Sequence, residues 1–117
     1  PGGPQALALV DGVPVVCFPG NPVSTQLSFE VFVAPLLRAA AGRPRRVAVP
    51  RRLEEDVRSV AGKRQFLRGR SHGESVRLVS GAGSHLVAGM AAADVLVIVP
   101  EHIIELRAGD TVETWAL

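Results

Sequence analysis

The sequence has few of the residues that hold small extracellular domains or metal centres together. It contains one cysteine, Cys17, among 117 residues. A single cysteine excludes an intrachain disulfide and a cysteine-rich zinc site, so a reducing cytoplasm is the expected location. No apolar run approaches the ~20 residues of a membrane-spanning helix, so no membrane partner is expected. Because residue 1 is Pro1 rather than methionine and no signal segment follows it, we expect a piece of a longer protein.

Charge is unevenly distributed along the chain. The net charge is +2, but residues 43–70 carry a strong excess of basic residues whereas residues 71–117 are acidic overall. A basic segment is typical of proteins that bind an anionic partner, and it also arises where two parts of one fold neutralise each other. We favour neutralisation and expect no nucleic-acid partner. A base-stacking surface needs interleaved aromatic residues, and Phe66 is the only one in the segment.

The first part of the chain has the pattern of an α/β segment. Apolar runs at 6–10 and 13–18 flank Asp11-Gly12, a pair that predicts a tight β-hairpin. Apolar residues then recur every three to four positions, which predicts a largely buried helix that begins at Pro22.

The ends of that helix are also marked in the sequence. Asn21 is a favourable N-cap, and Gly42 is a natural stop. Pro35 is expected to break or kink the helix near Ala34, because proline cannot donate the backbone hydrogen bond.

From about residue 45 onward the pattern changes to short strands separated by Gly- and Pro-marked turns. We therefore place a domain boundary near residues 42–46 and predict a small, mostly β domain over 45–117. Trp115 is expected in its core, and Cys17 in the core of the first segment. The predicted strands are 47–50, 64–70, 74–79, 95–100 and 111–117.

Two segments carry plausible binding chemistry. The strand–loop–helix segment around residues 19–24 would present helix N-terminal amides to an oxyanion, with Gly20 allowing close approach and Ser24 adding a hydroxyl. Arg68 would bind a phosphate in bidentate fashion. The alternatives are a well-capped helix without a ligand and a solvated strand arginine.

Other polar groups are assigned structural or solvated roles. The acidic triplet Glu54-Glu55-Asp56 is expected to be a solvated turn. The histidines lack the spacing of metal ligands. Asp94 is expected to cap or turn the chain before the strand that follows it.

The order of the motifs resembles the C-terminal part of the molybdopterin molybdenumtransferase family, the MoeA/gephyrin family. The resemblance covers essentially the whole chain. It is carried by the combination of PGGP, PGNPVS, RQFLRGR, GSH, AADVLVIVPE and GDTVE in that order, each of which is weak alone.

This resemblance implies a division of the chain and a reaction. Residues 1–44 would be the C-terminal end of a molybdopterin-binding α/β domain, and residues 45–117 a C-terminal β-barrel-like domain. The family enzyme inserts molybdenum from molybdate into adenylylated molybdopterin, assisted by Mg²⁺, and works as a homodimer. The resemblance also implies a set of substrate-binding residues: Pro19, Gly20, Asn21, Pro22, Ser24, Arg68 and Ser84.

Two features of the sequence qualify the implied activity. Gly3 stands where the family's P-G-K-P turn commonly has lysine, which removes a phosphate-binding cation. The family's acidic magnesium-contacting and molybdate-contacting residues belong to segments before Pro1, so the 117-residue chain alone is expected to be inactive and to hold no metal ligand. A non-catalytic scaffold of the gephyrin type is the alternative function.

Overall fold

The structure is a computed structural model that describes residues 5–79 and 91–117. The chain divides into two compact units, Pro1–Arg45 and Arg46–Leu117. The sequence prediction places this boundary one residue earlier, between residues 44 and 45.

The first unit begins with a two-stranded antiparallel hairpin, β1 (Ala6–Val10) and β2 (Val13–Cys17). Its turn has positive φ at Asp11 (50°) and at Gly12 (79°), the conformation that a two-residue hairpin loop requires, so the predicted hairpin is confirmed. Every residue of both strands is exposed within this chain. Cys17 is therefore not in a core, and the sequence prediction for it is wrong here.

A three-part helical segment follows the hairpin. Helix α1 (Pro22–Ser28) continues as a π-helical turn (Phe29–Val33) and then as helix α2 (Ala34–Ala40). The π turn lies directly before Pro35, which has no N–H to donate, and the Ala34 amide bonds back to the Phe29 carbonyl, five residues earlier. The predicted interruption near Ala34 is thus present.

The predicted burial of the helical segment is only partly present. Val23 and Ala34 are buried, but several large apolar residues are exposed within this chain. Their burial would require further protein, because the described residues of this unit supply one hairpin and no other strand to cover them. The exposed side chains are Phe29, Phe32, Leu36 and Leu37.

The second unit is a closed five-stranded barrel, which confirms the predicted barrel-like domain. The barrel strands are β3 (Val49–Leu53), β5 (Gln65–His72), β6 (Ser75–Leu78), β7 (Val95–Val99) and β9 (Thr111–Ala116). Their order around the barrel is β3-β6-β5-β7-β9, and β9 pairs back onto β3. All pairings are antiparallel except β3–β6, which is parallel.

A short antiparallel pair, β4 (Val57–Arg58) with β8 (Glu105–Leu106), adds to the barrel. The sequence does not predict these strands, because two residues are too short to show alternation. Val57 and Leu106 nevertheless belong to the barrel core. The other buried members of that core are Leu53, Val76, Val95, Val97, Val99 and Val112.

Strand β7 is buried along its entire length. Val95, Val97 and Val99 point into the core, whereas the alternate residues Leu96 and Ile98 are covered on the outer face. A continuous apolar run with no polar alternation is the sequence pattern of such a strand. This strand supports its neighbour β5, which carries the predicted binding arginine.

Among the described residues, no helix is long and apolar enough to cross a membrane.

Candidate functional site

The loop between β2 and α1 is held by bonds that it makes to itself. Asn21 caps α1, and its Oδ1 accepts hydrogen bonds from the amides of Val23 (3.0 Å) and Ser24 (3.2 Å). The Thr25 hydroxyl donates to the Pro19 carbonyl at 2.5 Å and reaches the Asn21 carbonyl at 3.0 Å. The sequence Pro-Gly-Asn-Pro therefore produces a defined loop, because its cap and its hydroxyl contact both act locally.

This capping corrects one expectation about binding chemistry. The first amides of α1 are not available to an oxyanion, since Pro22 has no N–H and those of Val23 and Ser24 donate to Asn21. Ser24 is also only 4% exposed, so it contributes to packing within its unit. A site built on unpaired helix amides is not supported.

The exposed surface of the loop is formed by Gly20, Asn21 and Pro22. A Cβ at Gly20 would meet nothing within 4 Å, and Gly20 has no positive φ. No contact with the described residues of its unit requires glycine at this position. The main chain there is open to close approach, as the sequence predicts for a binding loop.

Arg68 lies in the middle of β5, on its outer face. It is opposite Leu96 of β7, and Phe66, two residues earlier on the same face, lies opposite Ile98. The Phe66 and Trp115 rings are 5.6 Å apart at their centroids and tilted by 36°. Trp115 therefore packs outside the core cluster rather than in it, contrary to the sequence prediction.

Gly69, next to Arg68, faces inward and is required by packing. A Cβ at this position would lie 2.7 Å from Val76 Cγ2, 3.1 Å from Val97 Cγ2 and 3.2 Å from Val95 Cγ2. All three valines are buried, so none can move aside easily. The Arg-Gly pair thus combines an outward cation with the absence of a side chain on the core face.

Asp94 holds the end of β5 that follows Arg68. Its Oδ1 accepts a 2.8 Å hydrogen bond from the Ser71 amide, and its Oδ2 accepts one of 2.8 Å from the Ser71 hydroxyl. The Asp94 amide donates to the Gly69 carbonyl at 3.0 Å. Partial burial opposes ionisation of Asp94, but the hydrogen bonds from Ser71 and the nearby Arg70 guanidinium outweigh it and lower the pKa of Asp94.

The acidic triplet 54–56 is not the solvated turn that the sequence predicts. Glu54 accepts from Ser75 Oγ at 2.5 Å and from Arg77 Nε at 2.9 Å, with the His72 ring 3.0 Å away. The hydrogen bonds from Ser75 and His72, with that from Arg77, lower the pKa of Glu54. These contacts join the end of β3 to the β5–β6 hairpin.

The other two acids of the triplet bind backbone amides. Glu55 Oε1 accepts from the Leu78 amide and Asp56 Oδ1 from the Ala108 amide, each at 2.8 Å. Since all three carboxylates are engaged with the barrel, the triplet does not fit a magnesium site. No group of His, Cys, Asp and Glu side chains suited to a metal ion occurs within residues 5–79 and 91–117.

The basic segment is neutralised in part by acids from elsewhere in the barrel. Arg64 pairs with Glu101 at 3.1 Å, and Arg70 lies 3.9 Å from Asp94. These contacts bracket β7, with one acid before it and one after it, and each acid faces an arginine near one end of β5. Part of the positive charge of the basic segment is thus offset by acids within the same unit.

The predicted site residues are divided between the two units. The five from Pro19 to Ser24 lie in the loop and the first turn of α1 in the first unit, and Arg68 lies in the second. Ser84 and the Pro1–Gly3 turn lie outside the described residues. Sequence reasoning anticipated that Asp94 turns or caps the chain, but it missed the partner Ser71, since the two meet only through the β5–β7 pairing.

Comparison with known proteins gives a consistent result. The family described as MoeA C-terminal region (domain IV) matches residues 50–117. Molybdopterin molybdenumtransferase 2 of Mycobacterium tuberculosis is 40% identical, with an alignment covering 100% of this chain and 30% of that protein. Molybdopterin molybdenumtransferase 1 of the same organism is also 40% identical, covering 88% of this chain and 27% of its own length.

Solved structures show the same relationship. A molybdopterin biosynthesis MoeA protein from Pyrococcus horikoshii superposes with a TM-score of 0.86 and 34% identity, over 99% of this chain and 29% of its own. A molybdenum cofactor biosynthesis protein from Pyrococcus furiosus gives a TM-score of 0.74 and 26% identity, over 84% of this chain and 36% of its own. The chain thus spans about 30% of the curated relatives. It belongs to the MoeA family of molybdopterin molybdenumtransferases and contains the family's C-terminal domain IV.

Proposed function

We propose that this chain is the C-terminal part of an enzyme that transfers molybdenum from molybdate into adenylylated molybdopterin. The observation that carries the proposal is the 40% identity to molybdopterin molybdenumtransferase 2, which extends over the whole chain. Both predicted binding segments, loop 19–24 and strand β5, therefore fall within the aligned region. The enzyme is proposed to act in the cytoplasm as a homodimer.

The proposed substrate contacts use the two kinds of group described above. The exposed main chain of the loop around Gly20 allows a substrate to approach closely, and Asn21 and Pro22 flank it. Arg68 offers a planar guanidinium that matches a phosphate or molybdate oxygen pair. Pro19, Ser24 and Ser84 complete the proposed set, with Ser24 acting from a buried position that shapes the loop.

Magnesium is proposed to bind ligands in parts of the relatives that this chain does not cover, and within residues 5–79 and 91–117 no group of side chains suited to a metal ion occurs. For the same reason the isolated 117-residue chain is expected to show no turnover of adenylylated molybdopterin. Turnover by that chain would refute the assignment of the magnesium-contacting and molybdate-contacting acidic residues to other segments.

The proposed role of Arg68 is tested by substitution in the full-length protein. Arg68→Ala is expected to lower kcat/KM about ten- to hundred-fold, the effect of losing a charge-assisted bidentate contact. Arg58→Ala is the matched control, because Arg58 is an exposed strand arginine outside the motifs. Unchanged kcat/KM in Arg68→Ala would contradict the assignment. A full-length protein that has no turnover but binds peptides would favour the non-catalytic scaffold.

A further inference from the structure

We propose that Asp94 is a positioning residue that fixes the main chain of β5 beside Arg68, so that the arginine presents its guanidinium in the binding geometry. The inference rests on the proposed function, since it assigns to Asp94 an effect exerted through Arg68. No side-chain contact between Asp94 and substrate is required.

The β-ladder between β5 and β7 ends before β5 itself does. Pairing between β5 and β7 stops at Gly69 and Val95. Beyond that point β5 continues to His72, and no strand among the described residues pairs with it on its β7 side. An unpaired amide at this position would let the end of the strand fray. Fraying that passes Gly69 would then reach Arg68.

Asp94 makes hydrogen bonds to β5 at the edge where pairing with β7 ends. Its carboxylate takes the Ser71 amide and the Ser71 hydroxyl at 2.8 Å each, and its own amide bonds the Gly69 carbonyl at 3.0 Å. On the opposite edge of β5, the Arg68 carbonyl accepts from the Val79 amide at 2.9 Å. The main chain around Arg68 is therefore held from both sides. Asp94 supplies two of those main-chain bonds, to the Gly69 carbonyl and the Ser71 amide, and its third bond holds the Ser71 hydroxyl.

Packing prevents β5 from moving toward the core. The absence of a side chain at Gly69 lets the strand lie against Val76, and an inward shift is blocked by the buried valines. Outward movement is opposed by the Asp94 contacts. Replacing Asp94 with alanine removes the two side-chain bonds to Ser71 and leaves the main-chain bond to Gly69, so the part of β5 that follows Arg68 becomes free to move outward.

The test uses kcat and KM of the full-length enzyme. Asp94→Ala is expected to lower kcat/KM about ten- to hundred-fold, as a misplacement of roughly 1 Å does in other enzymes. Asp94→Asn is expected to restore most of the activity, because its amide oxygen still accepts from the Ser71 amide. Glu101→Ala removes a comparable exposed ion pair at the other end of β7 and is expected to leave kcat/KM within two-fold, roughly, of wild type.

A double-mutant cycle separates positioning from a general loss of structure. If Asp94 acts through Arg68, Asp94→Ala has little further effect on kcat/KM in an Arg68→Ala background. The same fold-loss in both backgrounds overturns the inference, as does unchanged activity of Asp94→Ala. If Arg68→Ala alone retains full activity, the proposed function of that residue fails as well. Should Asp94→Ala not fold, Ser71→Ala carries the same cycle with a smaller loss.

Discussion

The packing of Gly69 gives a quantitative prediction that needs no assay of function. Replacing this residue with alanine places a methyl group 2.7 Å from Val76 Cγ2, whereas an ordinary contact is 3.4–4 Å. Val76 is fully buried and is paired on both sides in the barrel, so it cannot rotate into solvent. Overpacking of this kind costs about 1–3 kcal/mol of stability, and we expect Gly69→Ala to fall in that range.

The compensating change is Val76→Ala, which removes the methyl group that the new Cβ would strike. Alone it leaves a cavity in the core and is expected to destabilise the barrel by roughly 1–3 kcal/mol. In the double variant the added methyl fills part of that cavity. The two losses are therefore expected to be less than additive, with a favourable coupling of about 1 kcal/mol or more.

Urea unfolding of the wild type, both single variants and the double variant measures this coupling. Gly20→Ala is the control, because a Cβ at Gly20 meets nothing within 4 Å, and it should leave the midpoint unchanged. Strictly additive losses in the double variant, or a Gly69→Ala variant as stable as wild type, would refute the steric account of the Arg-Gly pair.

Three further predictions concern stability and association. Because Glu54 and Asp94 have lowered pKa values, the stability that they contribute is present above pH values of about 4–5 and is lost as pH falls through their folded-state pKa. The urea midpoint of the wild type should therefore fall on acidification. In the double variant Glu54→Gln/Asp94→Asn the midpoint should fall less steeply, and an equal fall in both proteins would contradict the prediction. Asn21→Ala should destabilise α1 by about 1 kcal/mol. Hydrogen exchange would then be faster for amides of the first unit and unchanged for amides of the barrel. The isolated chain should associate and bind an apolar dye through its hairpin, and Leu7→Lys with Leu9→Lys should reduce both effects in sedimentation and fluorescence measurements.

The local elements were predictable because their causes are local. Asp11-Gly12 sets its own turn, Asn21 caps the helix that follows it, and Pro35 removes one hydrogen bond at a known place. The long barrel strands were also predictable, since alternation or a continuous apolar run is visible over five or more residues. Each of these features depends on residues within one helical turn or one strand.

Burial was less predictable, because it depends on what else is folded around an element. Cys17 and the hairpin are apolar, which indicates a buried strand pair, yet all ten residues are exposed within this chain. A hairpin that is apolar on both faces needs a layer on each side. Trp115 shows the same limit, since an aromatic residue near the end of a strand is compatible with either face of a barrel.

The acidic residues show why the binding site could be predicted only in part. A run such as Glu54-Glu55-Asp56 has no apolar pattern, so the sequence favours a solvated turn. Its partners lie about 20 or more positions away and meet it only after the barrel closes. Asp94 and Ser71 are likewise 23 positions apart and are joined by the β5–β7 register. Arg68 was recognisable as a cation on the outer face of a strand, but the groups that hold its strand become visible only through the tertiary pairing. The Arg-Gly motif therefore indicates an outward-facing cation and an inward-facing position without a side chain. The contacts that hold this strand in place, such as those between Asp94 and Ser71, form only when the barrel closes.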